Sequence, residues 1–145
     1  MNNSAGFTLA ELVVTIVLVG IIAATAIPTF NNVVVSTQLQ INKSNMETIM
    51  NAFMRYYFVT QDNPPPVPEN HLLDSEYKDI VLSDGRTPDN LFNGKAGLPY
   101  NSNGDPYSYY LENDTNSTGF ISRIITIKDM NTDSPSYEEF VIGGI

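Results

Sequence analysis

The sequence predicts an α+β fold in which a long N-terminal helix packs on a small antiparallel sheet of about three strands. Three observations predict it. An apolar run near the N-terminus carries no charge over residues 12–30. A more polar stretch with helical periodicity follows it, and three short runs rich in β-branched and aromatic residues end the chain.

The first helix is expected from residue 7 to about residue 60. An apolar stripe at helical spacing marks its second half and consists of Met46, Ile49, Met50, Phe53 and Tyr57. Residues 53–58 are strongly aromatic, and we expect them to pack against the sheet. Asp62 and the three prolines at 64–66 end the helix.

Residues 67–100 have weak periodicity and several turn signals, including Asp84-Gly85, Thr87-Pro88 and Asn93-Gly94. They predict a connecting region with one short helix near residues 73–81. His71 stands alone, without a cysteine or a second histidine, and is expected to be a solvated loop residue.

Strands are predicted at residues 107–111, 120–127 and 137–142, and polar turns at 112–119 and 129–136 separate them. This order predicts an antiparallel meander. One face of the sheet would then pack on the apolar stripe of the long helix.

The composition excludes several functions. The chain has 145 residues and a net charge of −9, which allows one compact domain plus one apolar segment. Every acidic residue except Glu11 follows Lys43, and an acidic head argues against direct nucleic-acid binding, which needs clustered Lys and Arg. Cysteine is absent, so disulfides and thiolate metal sites are excluded. No catalytic set of residues is evident, and the sequence predicts that the protein is not an enzyme.

Glu11 is the only charged side chain before Lys43, and it lies inside the apolar run. Residues 12–30 are long enough to cross a bilayer, where ionisable groups are rare and usually functional. The residues alone allow two interpretations. One is a secretory signal cleaved after Ala26, and the other is an uncleaved signal anchor, which leaves Glu11 unexplained.

Residues 6–12, with the sequence GFTLAEL, and the apolar run that follows to Pro28 resemble the class III signal of type IV pilins and type II secretion pseudopilins. The resemblance implies that a prepilin peptidase cleaves between Gly6 and Phe7 and that Phe7 becomes N-methylated. It also implies the ladle fold of pilins, with a leader, a transmembrane and assembly helix, and a globular head that includes the second half of the helix, at residues 1–6, 7–30 and 31–145. The leader departs from the family because it contains no Lys or Arg, which weakens the signal for membrane orientation.

The resemblance also implies a partner for Glu11, namely the α-amino group of Phe7 on a neighbouring subunit. Such a pair would satisfy a carboxylate in a low-dielectric bundle and fix the register between helices. The alternative is that Glu11 reaches the membrane interface without a partner. Gly20 and Pro28 are weak helical positions, and the resemblance implies that the segment between them loses helical order in a filament. For the unassembled protein, a gentle kink in a continuous helix is the alternative.

Residues 104–109, with the sequence GDPYSY, are similar to an element of major pseudopilins, although Asn103 replaces the tryptophan that commonly precedes it. Major pseudopilins bind calcium in the loops beyond this element. Oxygen ligands of the kind calcium prefers could come from Asp105, Glu112, Asp114, Asp129 and Asp133. No run has the full ligand spacing of a calcium-binding loop, and ordinary polar turns are the favoured interpretation.

The resulting hypothesis is a structural subunit that forms a homopolymer, and Glu11 indicates a position in the body of the filament. A single span would hold the precursor in the inner (cytoplasmic) membrane, and the filament would be extracellular or periplasmic. Its expected partners are a prepilin peptidase, an assembly ATPase and an inner-membrane platform protein. A type IV pilin is favoured over a major-pseudopilin-like subunit of type II secretion because the head is rich in Asn and Ser and lacks that tryptophan. A signal-anchored or secreted binding or enzymatic domain is the alternative from another class.

Overall fold

The computed structural model describes residues 6–62, 71–92, 97–115 and 121–145, with backbone only at positions 114, 115, 121 and 122. The chain divides into two units, Met1–Thr37 and Gln38–Ile145. In chain order, the elements are α1 (Leu9–Thr60), α2 (Ser75–Lys78), a 3-10 helix (Pro88–Phe92), β1 (Ser108–Thr115), β2 (Ile121–Lys128) and β3 (Phe140–Gly144).

The predicted α+β layout of a long N-terminal helix and a three-stranded antiparallel sheet is confirmed. Helix α1 begins two residues later than predicted and ends at Thr60, as predicted. The prolines at 64–66, the turn Asn93-Gly94, the turn residues 116–119 and Phe120 lie outside the described residues, so these parts of the prediction stay predictions.

The core of the second unit forms where the apolar stripe of α1 meets the sheet and the connecting region. Phe53 lies at its centre, with its ring centroid 5.0 Å from Tyr109 and 6.3 Å from Tyr77 in edge-to-face arrangements. Burial raises the pKa of both tyrosine hydroxyls above their ordinary value. The other fully buried large apolar side chains include Met46, Ile49, Leu73, Leu91, Tyr107, Ile125 and Ile127.

The C-terminal end of the apolar stripe was predicted incorrectly in one respect. Tyr57 is half-buried, whereas Ala52 and Tyr56 belong to the core. The reason is tertiary: the connecting region covers that side of α1, where the Tyr56 hydroxyl lies 2.8 Å from Ser83 Oγ. The predicted aromatic packing therefore holds for Phe53 and Tyr56 but not for Phe58, whose side chain is 60% exposed.

The sheet has the order β1-β2-β3, with β2 antiparallel to both neighbours. The predicted turn at 112–119 is wrong at its start, because residues 112–115 continue β1 in register with β2. Polar residues are tolerated there because β1 is an edge strand.

Strand β3 begins later than predicted. Glu138 has a φ of +66° and donates its amide to the carbonyl of Asp129, so residues 137–139 complete a turn instead of starting a strand. A run of apolar and acidic residues predicts strand, but the long-range hydrogen bond to Asp129 decides the local conformation here.

The connecting region contains the predicted short helix as α2, capped by Asp74, and the predicted turn at Asp84-Gly85, where Gly85 has a φ of +81°. The 3-10 helix was not predicted. His71 is not a solvated loop residue: it is half-buried, and its ring stacks on Tyr110 with centroids 4.8 Å apart.

Candidate functional site

The residues at the predicted cleavage point lie just before the first turn of α1. Gly6 and Phe7 are both exposed, and a Cβ added at Gly6 would meet no atom within 4 Å. Phe7 is 84% exposed. The peptide bond between these residues is therefore outside the helical hydrogen-bonding pattern, in a form that a second protein could reach.

Glu11 and Thr8 together cap the N-terminus of α1. The Thr8 amide and the Thr8 hydroxyl donate to Glu11 Oε2 over 2.9 Å and 2.8 Å, and the Glu11 amide donates back to Thr8 Oγ1 over 3.3 Å. This reciprocal arrangement is a capping box, which satisfies helix amides that have no partner within the helix. It explains why α1 begins at Leu9, immediately after the cap.

The geometry leaves one carboxylate oxygen of Glu11 available. Both bonds from Thr8 end on Oε2, and among the described residues no donor contacts Oε1. Within that same part of the chain the ion pair found is Arg86–Asp84, so Glu11 has no cationic partner there. The site can therefore accept a further donor or cation while Thr8 holds the carboxylate in place.

Sequence reasoning had missed the role of Thr8. The signal was present, because Thr8 precedes Glu11 by three residues and opens an apolar helical run, which is the pattern of a capping box. An isolated charge draws attention to Glu11 alone, whereas the structure shows that the Thr8 hydroxyl holds its carboxylate.

The apolar part of α1 has no cover within its own unit. Every described residue from 6 to 37 is exposed. Over the described residues, Leu9–Thr60 is long and apolar enough to cross a membrane, with an 18-residue window of mean hydropathy 2.5 that is 0% buried. A core helix of a soluble protein would bury such a window. A cleaved secretory signal would leave the window exposed, as a membrane span does. The residues around the window must therefore distinguish a secretory signal from a membrane span.

Helix α1 continues through both predicted weak positions. Gly20 contacts nothing on its open side, and Pro28 lies inside the helix. Because Pro28 has no amide hydrogen, the carbonyl of Ala24 loses its helical donor. The nearby hydroxyl of Thr25 donates to the Ile22 carbonyl over 3.1 Å, and that of Thr29 donates to the Thr25 carbonyl over 3.1 Å. In this unassembled form the continuous helix is the observed alternative.

The C-terminal loops hold a buried polar network instead of a clear cation site. Asp129 is fully buried, and it accepts bonds from the Ser136 hydroxyl over 2.6 Å and the Asn131 amide over 3.1 Å. The Asn131 side chain donates to Asp105. Donors thus occupy oxygens of two of the predicted ligands.

Of the remaining candidate calcium ligands, the structure describes the side chains of Glu112 and Asp133. Glu112 is exposed on β1, the side chain of Asp114 lies outside the described ones, and Asp133 is exposed. The described residues contain no group of three or more His, Cys, Asp or Glu positioned to hold a metal. The favoured interpretation, ordinary polar turns without a bound cofactor, therefore stays a prediction, and calcium binding stays its alternative.

Asn42 connects this network to α1, and we call Asn42, Asn101, Asp129, Ser134 and Ser136 the polar clasp. The fully buried Asn42 side chain donates to Ser136 Oγ over 2.7 Å and to Ser134 Oγ over 3.2 Å. Its Oδ1 accepts the Ser102 amide over 2.8 Å. In a chain without cysteine, these bonds hold two C-terminal loops to the helix, one at Ser102 and the other at Ser134 and Ser136.

One comparison with known proteins identifies the N-terminal segment. The family described as the prokaryotic N-terminal methylation motif matches residues 1–27. This range contains the predicted cleavage residues Gly6 and Phe7, the capping box and Gly20. No curated protein and no solved structure matches the chain.

Proposed function

We propose, from the premise that this chain carries a class III signal typical of type IV pilins and pseudopilins, that it is a structural subunit of a type IV pilus-like filament. The motif supports a pilin-like or pseudopilin subunit in general. The observation that carries the finer proposal is the exposed, charge-free helix that directly follows the Glu11 capping box, because its apolar surface needs a bilayer or other copies of itself for cover.

The first step of the proposed pathway is processing. A prepilin peptidase cuts the exposed bond between Gly6 and Phe7, which frees the α-amino group of Phe7. The precursor is anchored in the inner membrane by a single apolar span, which is consistent with the window of mean hydropathy 2.5 in α1.

The second step is pairing between subunits. The free Oε1 of Glu11 accepts the amine of Phe7 from a neighbouring subunit, while the Thr8 bonds to Oε2 keep the carboxylate oriented. A charge-assisted bond of this kind is strong where water is excluded, and it sets the axial register of the helices. An assembly ATPase and an inner-membrane platform protein would extend the homopolymer into an extracellular or periplasmic filament, without direct nucleic-acid contact by the acidic head.

One observation favours a second candidate, a major-pseudopilin-like subunit of a type II secretion system. The element at residues 104–109 leads directly into β1, with Gly104 at a φ of +88° and with Tyr107 and Tyr109 fully buried. These positions give the pseudopilin-like pattern a structural role at the start of the sheet. The genes beside the coding gene discriminate between the two candidates.

Intact-mass analysis and N-terminal sequencing of protein from its host test the proposal. We expect a mature chain that begins at an N-methylated Phe7, and full-length protein in a host that lacks prepilin peptidase. A chain that begins at Ile27 would establish an ordinary secretory signal, and a chain that retains residues 1–6 in the normal host would establish a plain anchor. Either result would contradict the filament proposal.

A further inference from the structure

Among the described residues, two exposed surfaces of the second unit have complementary chemistry. The first is a groove between α1 and residues 91, 92 and 97–100, which we call the Arg55 groove. The second, the β3 ridge, consists of Glu138, Glu139, Phe140 and Ile142 at the edge of the sheet.

The Arg55 groove has a volume of about 770 Å³ and an apolar floor. Ala52, Leu91 and Leu98 form this floor, and the partly exposed ring of Tyr100 forms a wall. Arg55 is the one charged residue among the described residues that line it, and its Nη2 donates to the Leu91 carbonyl over 2.7 Å. The groove therefore presents a fixed positive charge above an apolar surface.

The outer wall of the groove is held in shape by a specific local structure. Asp89 Oδ1 accepts the Leu98 amide over 2.8 Å, and its carboxylate lies where a Cβ on Gly97 would be. Gly97 has a φ of +77°, which favours glycine. The wall is thus built by the chain itself, and a partner that enters the groove would find it preformed.

The β3 ridge combines exposed apolar side chains with two carboxylates. Phe140 is 54% exposed and Ile142 is 59% exposed. Glu138 and Glu139 are exposed, and among the described residues neither side chain has a hydrogen bond or an ion pair. Lys43 and Glu139 line the same small hollow, so Glu139 has a positive charge nearby. Glu138 does not line that hollow and is the carboxylate more available to a partner.

Among the described residues, the backbone groups of Phe140 and Ile142 are also unpaired on the outer side of the sheet. β3 is an edge strand, and Ile145, just after it, exchanges two hydrogen bonds with Arg123 of β2. Because hydrogen-bonded and non-bonded pairs alternate in an antiparallel ladder, Phe140 and Ile142 direct their amides and carbonyls away from β2. Such an edge is suited to contact with another polypeptide.

The two surfaces lie on different sides of α1. Met50 and Met54 lie under Gly143 of β3, since a Cβ added there would be 2.5 Å from Met50 Sδ and 2.9 Å from Met54 Sδ. The residues of α1 that line the groove, such as Ala52 and Arg55, have a mean direction roughly 140° away around the helix. One copy therefore cannot bring its own ridge into its own groove.

We propose that the Arg55 groove of one copy binds the β3 ridge of the next, with Phe140 over the apolar floor and Arg55 beside Glu138. A second copy is the occupant because both complementary surfaces, one with a single cation and one with two carboxylates, belong to the same chain. The contact joins two different surfaces on different sides, so it does not close into a two-fold dimer, and in the proposed filament it repeats from one copy to the next. The inference rests on the proposed filament function and names the contact between its heads.

Cysteine cross-linking tests this contact directly, because the natural chain has no cysteine. One variant carries Asn51→Cys at the rim of the groove together with Glu138→Cys on the ridge. Both positions are exposed and have no side-chain hydrogen bond among the described residues. Sheared filaments treated with a short bis-maleimide should give a ladder of dimers, trimers and longer products.

Matched controls make the outcome specific. Each single cysteine should give no ladder, and neither should Asn51→Cys with Glu112→Cys, which places the second thiol on β1 at the other edge of the sheet. Filaments that form normally but give no ladder with the first pair would overturn the proposed contact and leave the filament function intact. A product that stops at the dimer, or an equal ladder from the control pair, would overturn the contact as well. Absence of both processing and filaments would instead contradict the proposed function.

A charge exchange provides the second test. Arg55→Glu should lower the filament yield by about tenfold, and Glu138→Arg in the same chain should restore most of it, because the pair is re-formed with opposite signs. Melting of the processed protein is measured for each variant, so that a variant that unfolds is recognised. Equal loss in the single and the double variant, with unchanged melting, would contradict the pairing.

Discussion

The two parts of helix α1 satisfy their apolar side chains in different ways. Residues 9–37 expose them along the whole length, whereas residues 42–56 bury one side of the helix beneath the sheet and the connecting region. Backbone hydrogen bonding is helical in both parts. The difference therefore lies in what covers the side chains, which for the second part is the chain's own C-terminal region.

The two parts of α1 therefore contribute to different properties of the protein. The second part gains its stability from folding, because Phe53, Tyr77 and Tyr109 pack as one aromatic cluster. The first part has no apolar burial within its own unit, and in the proposed filament function it gains burial from a bilayer and then from neighbouring copies. Substitutions in the first part should therefore affect assembly, and substitutions in the second part should affect folding.

The largest effect is expected from Glu11→Val. The variant should be processed and inserted normally but form few or no filaments, because the subunit loses the acceptor that we propose for the neighbouring amine. Electron microscopy of sheared filaments and the intact mass of the membrane fraction measure the two properties. Glu112→Val, at an exposed position outside the helix, is the control. Normal filaments from Glu11→Val would contradict the division of tasks.

Phe53→Ala should lower the folding stability of the second part, whereas Glu11→Val affects assembly. Removal of this fully buried ring leaves a cavity and should lower the free energy of unfolding by about 3–5 kcal/mol. Chemical denaturation of the processed protein in detergent, followed by near-ultraviolet circular dichroism, measures the change. Phe58→Ala removes a ring that is 60% exposed and should change stability by less than about 0.5 kcal/mol. Similar losses for both variants would show that the core assignment is wrong.

Asn42→Ala should destabilise the second part by about 1–3 kcal/mol, because the Ser136 and Ser134 hydroxyls and the Ser102 amide lose a buried partner. Asn51→Ala, at an exposed position on the same helix, is the matched control. Chelator and added calcium are compared for the parent protein in the same denaturation assay. A large calcium-dependent gain in stability would show that a cation adds to the clasp.

Thr8→Val should have the smallest effect, confined to the first turn of α1. The hydroxyl that bonds Glu11 Oε2 is lost, so hydrogen exchange of the amides near Glu11 should become several-fold faster while the second unit is unchanged. Thr15→Val removes a hydroxyl that bonds only the Glu11 carbonyl, and it should leave the exchange of that first turn nearly unchanged. Equal exchange in both variants would contradict the capping role.

Local sequence patterns predicted most of the elements because these are decided by neighbouring residues. The helical stripe predicted α1, the runs of β-branched and aromatic residues predicted three strands, and Asp84-Gly85 predicted a turn, and the structure has all of these elements. The helix was predicted to start at Phe7 and starts at Leu9. That difference is also local in origin, since Thr8 uses its hydroxyl to cap the first turn.

The remaining errors come from contacts between distant residues. Tyr56 is buried in place of Tyr57 because the segment at Ser83 covers one side of the helix. Glu138 turns because its amide bonds the carbonyl of Asp129. Neither contact leaves a signal in the residues beside it, because a hydrogen bond across a fold depends on where both chain segments arrive.

The sequence by itself determined the apolar helix, the isolated charge of Glu11 and the methylation motif at residues 1–27, because hydropathy, charge and short motifs are properties of consecutive residues. Only the tertiary structure decided that Asn42 joins the two C-terminal loops to α1 and that no described segment covers the Arg55 groove or the β3 ridge. Burial and exposure depend on which segments fold onto one another, and consecutive residues do not specify that alone.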